Sequence, residues 1–299
     1  MSGNGTGTGA GTGANGTVAD PGGGDARDED LSAWLPDAAD ADRASAARMY
    51  DYYLGGSHNL AVDRELAHAV LRVVPEAPQI ARAQHEVLLR TVKYLARAGV
   101  SQFLDLGAGI PAVDTVHEVA RSIVPEARVV YVDRDPVAVS VSRAILREVP
   151  DAAMLRADVR DARAVLGHRE LRGLIDFDRP VALLMSAMLH SVPEEEDPDA
   201  IVAAYRDATV PGSYLAITHA TDDYRPELTE LTDPIYRQAG YRTVYRAKER
   251  IARFFEGYDL IAPGLVDVVN WRPNPSRGRD PYGGDVARYS TYTALGRKR

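Results

Sequence analysis

Five apolar runs constrain this chain most: QFLDLG at 102–107, RVVYVD at 128–133, AAMLRADV at 152–159, VALLMSAM at 181–188 and SYLAITHA at 213–220. Each has the length of a strand and an almost continuous apolar content, the pattern of a strand covered on both faces. Segments with helical spacing lie between them, such as 113–124 and 137–148, the latter opened by Asp135-Pro136 as cap and first helical residue. Strand and helix in alternation predict an α/β fold on a mostly parallel sheet with crossover helices.

The flanks have a different rhythm. Helical spacing begins near Ala44 and resumes at 62–73, stopping before Pro75. A third stretch, 80–98, puts Ala83, Val87, Leu88, Val92, Leu95 and Ala96 on one face and ends at Gly99. After Ala220 comes a polar helical region, 223–256, whose piece at 249–255 reads as a last helix. Two strands close the chain, at 258–271 and 288–298, and the connector RPNPSRGRDPYGG between them is all turn residues. That ending predicts an antiparallel pair.

The first 30 residues are Gly/Thr/Asn repeats and then mixed acids, too poor in apolar side chains to offset chain entropy. The resulting organisation is a disordered tail over 1–42, an N-terminal helical segment over 43–99 and a core over 100–299. Of the net charge of −8, the stretch from Asp20 to Asp42 carries almost all, with eight acids against Arg27. The near-neutral remainder gives no bulk electrostatic case for nucleic acid or an anionic membrane. With no cysteine, there can be no disulfide, thiolate nucleophile or Cys-based metal site. No apolar run approaches the roughly 20 residues that cross a bilayer, and the N-terminus has no signal-peptide pattern, so the expected location is the cytoplasm.

Chemistry concentrates where the strands end. Gly107-Ala-Gly109-Ile-Pro-Ala112 follows the first strand and matches G-x-G-x-x-A, a weak sign by itself, since such glycines often serve only a tight turn. Asp105, two residues before Gly107, would repel a pyrophosphate and suits a ligand with a cationic amino group. Asp133 closes the second strand, where its two oxygens can accept from both hydroxyls of a ribose. Asp158 and Val159 end the third strand and can meet an adenine amine and ring. Each residue alone reads as a turn or cap. In register they look like one nucleoside-type site.

D-L-G-A-G after the first strand, an acid closing the second, A-D-V at the third and a terminal hairpin together resemble the class I S-adenosylmethionine-dependent methyltransferases. RMYDYYLGGSHNLAVDRE at 48–65, QFLDLGAGIPAVDTVHEVA, RVVYVDRDPVAV, DFDRPVALLMSAMLHSVPEEEDP and ARFFEGYDLIAPGLVDVVNWRP are more closely similar to a mainly actinobacterial family of such enzymes, across about residues 43–299. The resemblance implies a Rossmann-like sheet of seven strands, mostly parallel with an antiparallel last strand and helices on both faces. It implies S-adenosylmethionine across the first three strand ends but leaves the acceptor undefined; the expected acceptor is an unidentified small molecule. Asp105, Gly107, Ala108 and Gly109 would hold the methionine end, Asp133 the ribose, and Asp158 with Val159 the adenine; Arg134 and Ser186 complete the cofactor set. The 48–65 motif is expected to form a lid, with Arg48, Asp51, Tyr52, Gly56 and Asn59 lining the pocket.

Catalytic residues are harder to read, because a methyl donor that brings its own electrophile asks mainly for positioning. His190 past strand four and His219 near the end of strand five are the candidate bases. The acids Glu194 to Asp197 do not predict a metal site, since consecutive loop residues cannot all face one ion. Two other readings stay open: a nicotinamide-dependent oxidoreductase, which the glycine match permits but Asp105 and Pro111 oppose, and a non-catalytic S-adenosylmethionine or adenosine binder.

Overall fold

Pro136 and Asp135 behave as the sequence predicts: the Asp135 carboxylate accepts from the Ala138 amide at 2.7 Å, and a helix starts at Pro136. The computed structural model describes Met1, Gly3 and residues 38–299, apart from 112–113, 239 and 275–279. Most of the expected tail and Ala112 of the glycine match lie outside the described residues. Within the stretch read as tail, Ala38–Ala41 is a short helix, α1. Three helices precede the first strand: α2 (Ala46–Leu54), α3 (Ala61–Leu71) and α4 (Ala77–Arg97).

The five apolar runs form β1 (Gln102–Leu106), β2 (Arg128–Asp133), β3 (Ala152–Arg156), β4 (Ala182–Ser186) and β5 (Tyr214–Ala220), all mutually parallel. Between them run α5 (Val116–Arg121), α6 (Pro136–Leu146), α7 (Ala162–Gly167), α8 (Arg169–Leu174) and α9 (Pro198–Asp207). After β5 come α10 (Glu227–Gln238) and α11 (Lys248–Arg253), then β6 (Tyr258–Leu260), β7 (Val266–Asp267) and β8 (Thr291–Lys298).

Strand order across the sheet is β3-β2-β1-β4-β5-β8-β6, with β7 also paired to β8. β8 runs antiparallel to β5, and β6 and β7 lie one after the other along its far edge. Eight strands therefore fill seven positions. The single strand expected at 258–271 is split by Ala262-Pro263-Gly264, where proline removes a ladder donor and Gly264 takes a φ of 85°.

Period-two alternation divides the core between the faces of the sheet. Leu104, Leu106, Val130 and Val132 point into one cluster with Leu171, Val202, Tyr205 and Phe254. Phe103, Val129 and Tyr131 point into the other, with Val87, Val92 and Leu95 of α4 and with Trp271. A third cluster stands apart and joins Met49 and Tyr53 of α2, Leu66 and Val70 of α3, Ala77 and Ala81 of α4, and Leu228 of α10. Among the described residues no helix is long and apolar enough to cross a membrane.

Candidate functional site

Strand order reverses between β1 and β4, so the loops leaving these two strands turn away from each other and open a crevice at their carboxyl ends. A cavity of about 320 Å³ occupies that crevice. Its floor includes Asp105, Gly107, Ala108 and Gly109 from the end of β1, Asp133 and Arg134 from β2, Asp158 and Val159 from β3, and Ser186 from β4. All nine cofactor residues named from the sequence border this one space.

The loop after β1 is held to β2 by its own backbone: the Gly107 and Ala108 amides both donate to the Val132 carbonyl, at 2.8 and 3.1 Å. Gly107 has a φ of 79°, and a Cβ there would come within 2.5 Å of Met188 Cγ, so glycine is required on both grounds. The Gly109 amide donates to Asp133 Oδ2 at 2.8 Å and the Asp135 amide to Oδ1 at 2.8 Å, which fixes that carboxylate at the cavity edge. Each of its oxygens keeps a further lone pair.

Charge is distributed unevenly over this floor. Asp105 is buried beside Asp133, and burial first, then that neighbour, raise its carboxyl to about pH 7. Burial also raises Asp133, against the pull of its two amide donors. Asp158 goes the other way, because the Arg160 guanidinium bonds it directly, with Nε 2.9 Å from Oδ1, and Arg134 stands 3.7 Å away. Arg160 also reaches Glu196 at 2.8 Å, bridging β3 to the loop after β4. A cationic group would be welcomed at Asp105 and is already supplied at Asp158.

His190 borders the cavity; His219 does not. His219 is fully buried, with Nδ1 donating to the Ala220 carbonyl at 2.6 Å and Nε2 accepting from Arg246 Nη1 at 2.8 Å. Both ring nitrogens are engaged in hydrogen bonds away from the cavity, which is not the placement expected of a base. Burial, then His190, push it well below the ordinary histidine range. His190 stacks edge-on against it at 5.8 Å, and burial, then Arg246, lower it to about 4. His190 Nδ1 has no hydrogen-bond partner among the described residues. That nitrogen is itself buried, and the burial that strips it of a partner also keeps the ring neutral.

The 48–65 motif reaches the cavity through other residues than those expected. Met49, Tyr50, Tyr53 and Leu54 border it, whereas Arg48, Asp51, Tyr52, Gly56 and Asn59 do not. Those five instead make contacts that tie the α2–α3 corner together. Asp51 Oδ2 accepts from the His58 amide at 2.9 Å and from Asn59 Nδ2 at 2.8 Å, while Asn59 Nδ2 also meets the Gly56 carbonyl at 2.9 Å. A Cβ on Gly56 would overlap the Asp51 carboxylate. Arg48, 1 % exposed, donates to the Arg43 carbonyl and lies 3.4 Å from Asp63, whose carboxylate also receives the Ser45 and Leu60 amides. The Tyr52 hydroxyl meets His68 Nε2 at 2.8 Å. Helical periodicity had to put one face of α2 inward, and sequence alone left open which one.

Arg246 carried no motif signal and is a principal fastener here. Buried to 3 % exposure, it bonds the Leu189 carbonyl at 2.9 Å, the Val192 carbonyl at 2.6 Å and the Glu194 carboxylate at 2.5 Å, besides His219. It thereby pins the loop that carries His190. Three of the four acids on that loop are likewise engaged: Glu194 with Arg246 and Arg250, Glu196 with Arg160, and Asp197 as the N-cap of α9.

The profile of the S-adenosyl methyltransferase family matches residues 32–299. No curated protein is significantly similar to the chain. Among solved structures, one from Thermobifida fusca YX, provisionally assigned as a methyltransferase, is 40% identical, with a TM-score of 0.82 over 89% of this chain and 99% of its own. A DUF574 family protein from Streptomyces avermitilis MA-4680 is 36% identical, with a TM-score of 0.80 over 87% of this chain and 99% of its own. A glycine loop and three strand-end acids around one crevice, in a chain matched nearly throughout by that profile, make this protein a member of the S-adenosyl methyltransferase family, with S-adenosylmethionine as its cofactor.

Proposed function

We propose that the protein transfers a methyl group from S-adenosylmethionine to a small molecule bound in the same cavity. The observation that carries this reading is the convergence of Asp105, Asp133 and Asp158, from three successive strand ends, on one space with the Gly107–Gly109 loop. The residues fit such a ligand. Asp105, buried and without a cation of its own, would accept from its amino group, and Asp133, anchored by two amides, would accept from the ribose hydroxyls. Asp158 and Val159 would take the adenine edge, with Arg160 releasing part of the Asp158 carboxylate. Gly107 and Gly109 would let the backbone approach closely.

When bound, S-adenosylmethionine supplies the methyl as a sulfonium-activated electrophile. The chain's part is to orient the acceptor, exclude water and, for an acceptor that must lose a proton, take that proton. His190 is the base in this reading, because its ring is the one of the two candidate histidines that borders the cavity. The cytoplasm is the proposed location, in keeping with a chain free of cysteine.

S-Adenosylhomocysteine is expected to raise the melting temperature, and NADH to leave it unchanged. Stabilisation by NADH alone would overturn the reading. Replacing Asp133 by Ala should weaken S-adenosylhomocysteine by about 1–3 kcal/mol through loss of two charge-assisted bonds, measured by calorimetry.

A further inference from the structure

Beyond the strand-end acids, the cavity continues between helices. That far wall is built by α2, α3, Val74, α4, α10 and Tyr245, and it is chemically unlike the floor. Among the described residues it carries no carboxylate, lysine or arginine; its polar side chains are tyrosine and threonine hydroxyls with Gln84 and His85. The rest is aliphatic, including Val70, Ile80 and Leu228. Arg242 also borders the cavity but is exposed.

Three tyrosines from separate parts of the chain meet on this wall. Tyr53 of α2, Tyr236 of α10 and Tyr245 lie close enough that Tyr53 and Tyr245 both bear on the titration of Tyr236. Burial raises all three, so each stays an uncharged hydroxyl. Two are already bonded: Tyr245 to Thr232 at 3.3 Å and Tyr53 to the Ala67 carbonyl at 3.5 Å. The Tyr236 hydroxyl bonds to no described residue. Aromatic faces, aliphatic side chains and one spare hydroxyl suit a flat apolar body with little polarity of its own. A charged ligand would surrender its hydration there with no fixed counter-ion.

We propose that this helical chamber takes the methyl acceptor, and that the acceptor is an uncharged, aromatic molecule whose hydroxyl is turned towards His190. This rests on the methyl-transfer reading and names its substrate class. In the transfer, the acceptor oxygen forms a bond to the methyl carbon as the carbon–sulfur bond breaks. The electron pair of that bond stays on sulfur, which leaves as a neutral thioether. The hydroxyl proton goes to the His190 imidazole and from there to solvent.

Three probes of one shape and different charge test it: 2-naphthol, 2-naphthoate and 2-naphthylmethylammonium, titrated at pH 7 into protein saturated with S-adenosylhomocysteine. 2-Naphthol is expected to bind at least about tenfold more tightly than either ion, the penalty of an uncompensated charge in an apolar site. Tyr236→Glu places a carboxylate in the chamber and is expected to turn the preference to the ammonium probe, with S-adenosylhomocysteine affinity unchanged. Equal binding of the three probes, or none of them binding to protein that does bind S-adenosylhomocysteine, would overturn the chamber assignment and leave methyl transfer standing. Failure to bind S-adenosylhomocysteine at all would remove both.

Discussion

Asp105 keeps its proton up to about pH 7 because burial and the Asp133 carboxylate both disfavour its charge. A ligand ammonium needs the ionised form, so binding must expel that proton. Affinity for S-adenosylhomocysteine should therefore fall about tenfold per pH unit below 7, one proton being linked to binding. Asp105→Asn is expected to abolish that slope, its curve meeting the wild type's at low pH; a parallel slope in the variant would refute the assignment. His190 has the opposite habit. Its folded pKa, about 4, lies below the unfolded value, so the unfolded chain gains a proton first as pH falls from 6.5. Stability attached to this residue is lost between pH 6.5 and 4 and intact above. His190→Asn should thus gain on the wild type in denaturant titrations as pH drops through that window, and its kcat should fall while S-adenosylhomocysteine still binds.

At the scale of elements, the α2–α3 corner shows how a motif can be conspicuous for structural reasons. The tyrosines and glycines of 48–65 suggest a ligand, and part of the motif does border the cavity, through Met49, Tyr50, Tyr53 and Leu54. Its polar residues instead bond one another, as a helix end turning sharply into a second helix requires partners for its backbone groups. Gly56→Ala is expected to cost about 1–3 kcal/mol by displacing the Asp51 carboxylate from its donors, read from urea unfolding. In an Asp51→Ala background the same change should cost little, a coupling that a simple loss of glycine flexibility would not produce. Arg246 belongs to this scale too, since one side chain joins the loop after β4, the end of β5 and the segment before α11. No local pattern marks such a residue, because its partners are carbonyls brought together only by the sheet.

For the molecule as a whole, the family profile starts at residue 32, and the acidic stretch lies mostly before it. Deleting residues 1–31 is expected to leave both the melting temperature and S-adenosylhomocysteine affinity unchanged; a loss of either would give the tail a part in the fold or the site. The sequence by itself determined the α/β class, the five parallel strands and the acids at their ends. Continuous apolar runs have few ways to be buried, and strand ends in such a sheet fall on one edge. The tertiary structure decided what periodicity leaves open. It chose which face of α2 looks inward, and it turned His219 into the core while leaving His190 on the cavity. It also gathered Tyr53, Tyr236 and Tyr245, distant in sequence, onto one wall. Those outcomes depend on packing between segments far apart in the chain, where the deciding contacts are with neighbours that no stretch of sequence contains.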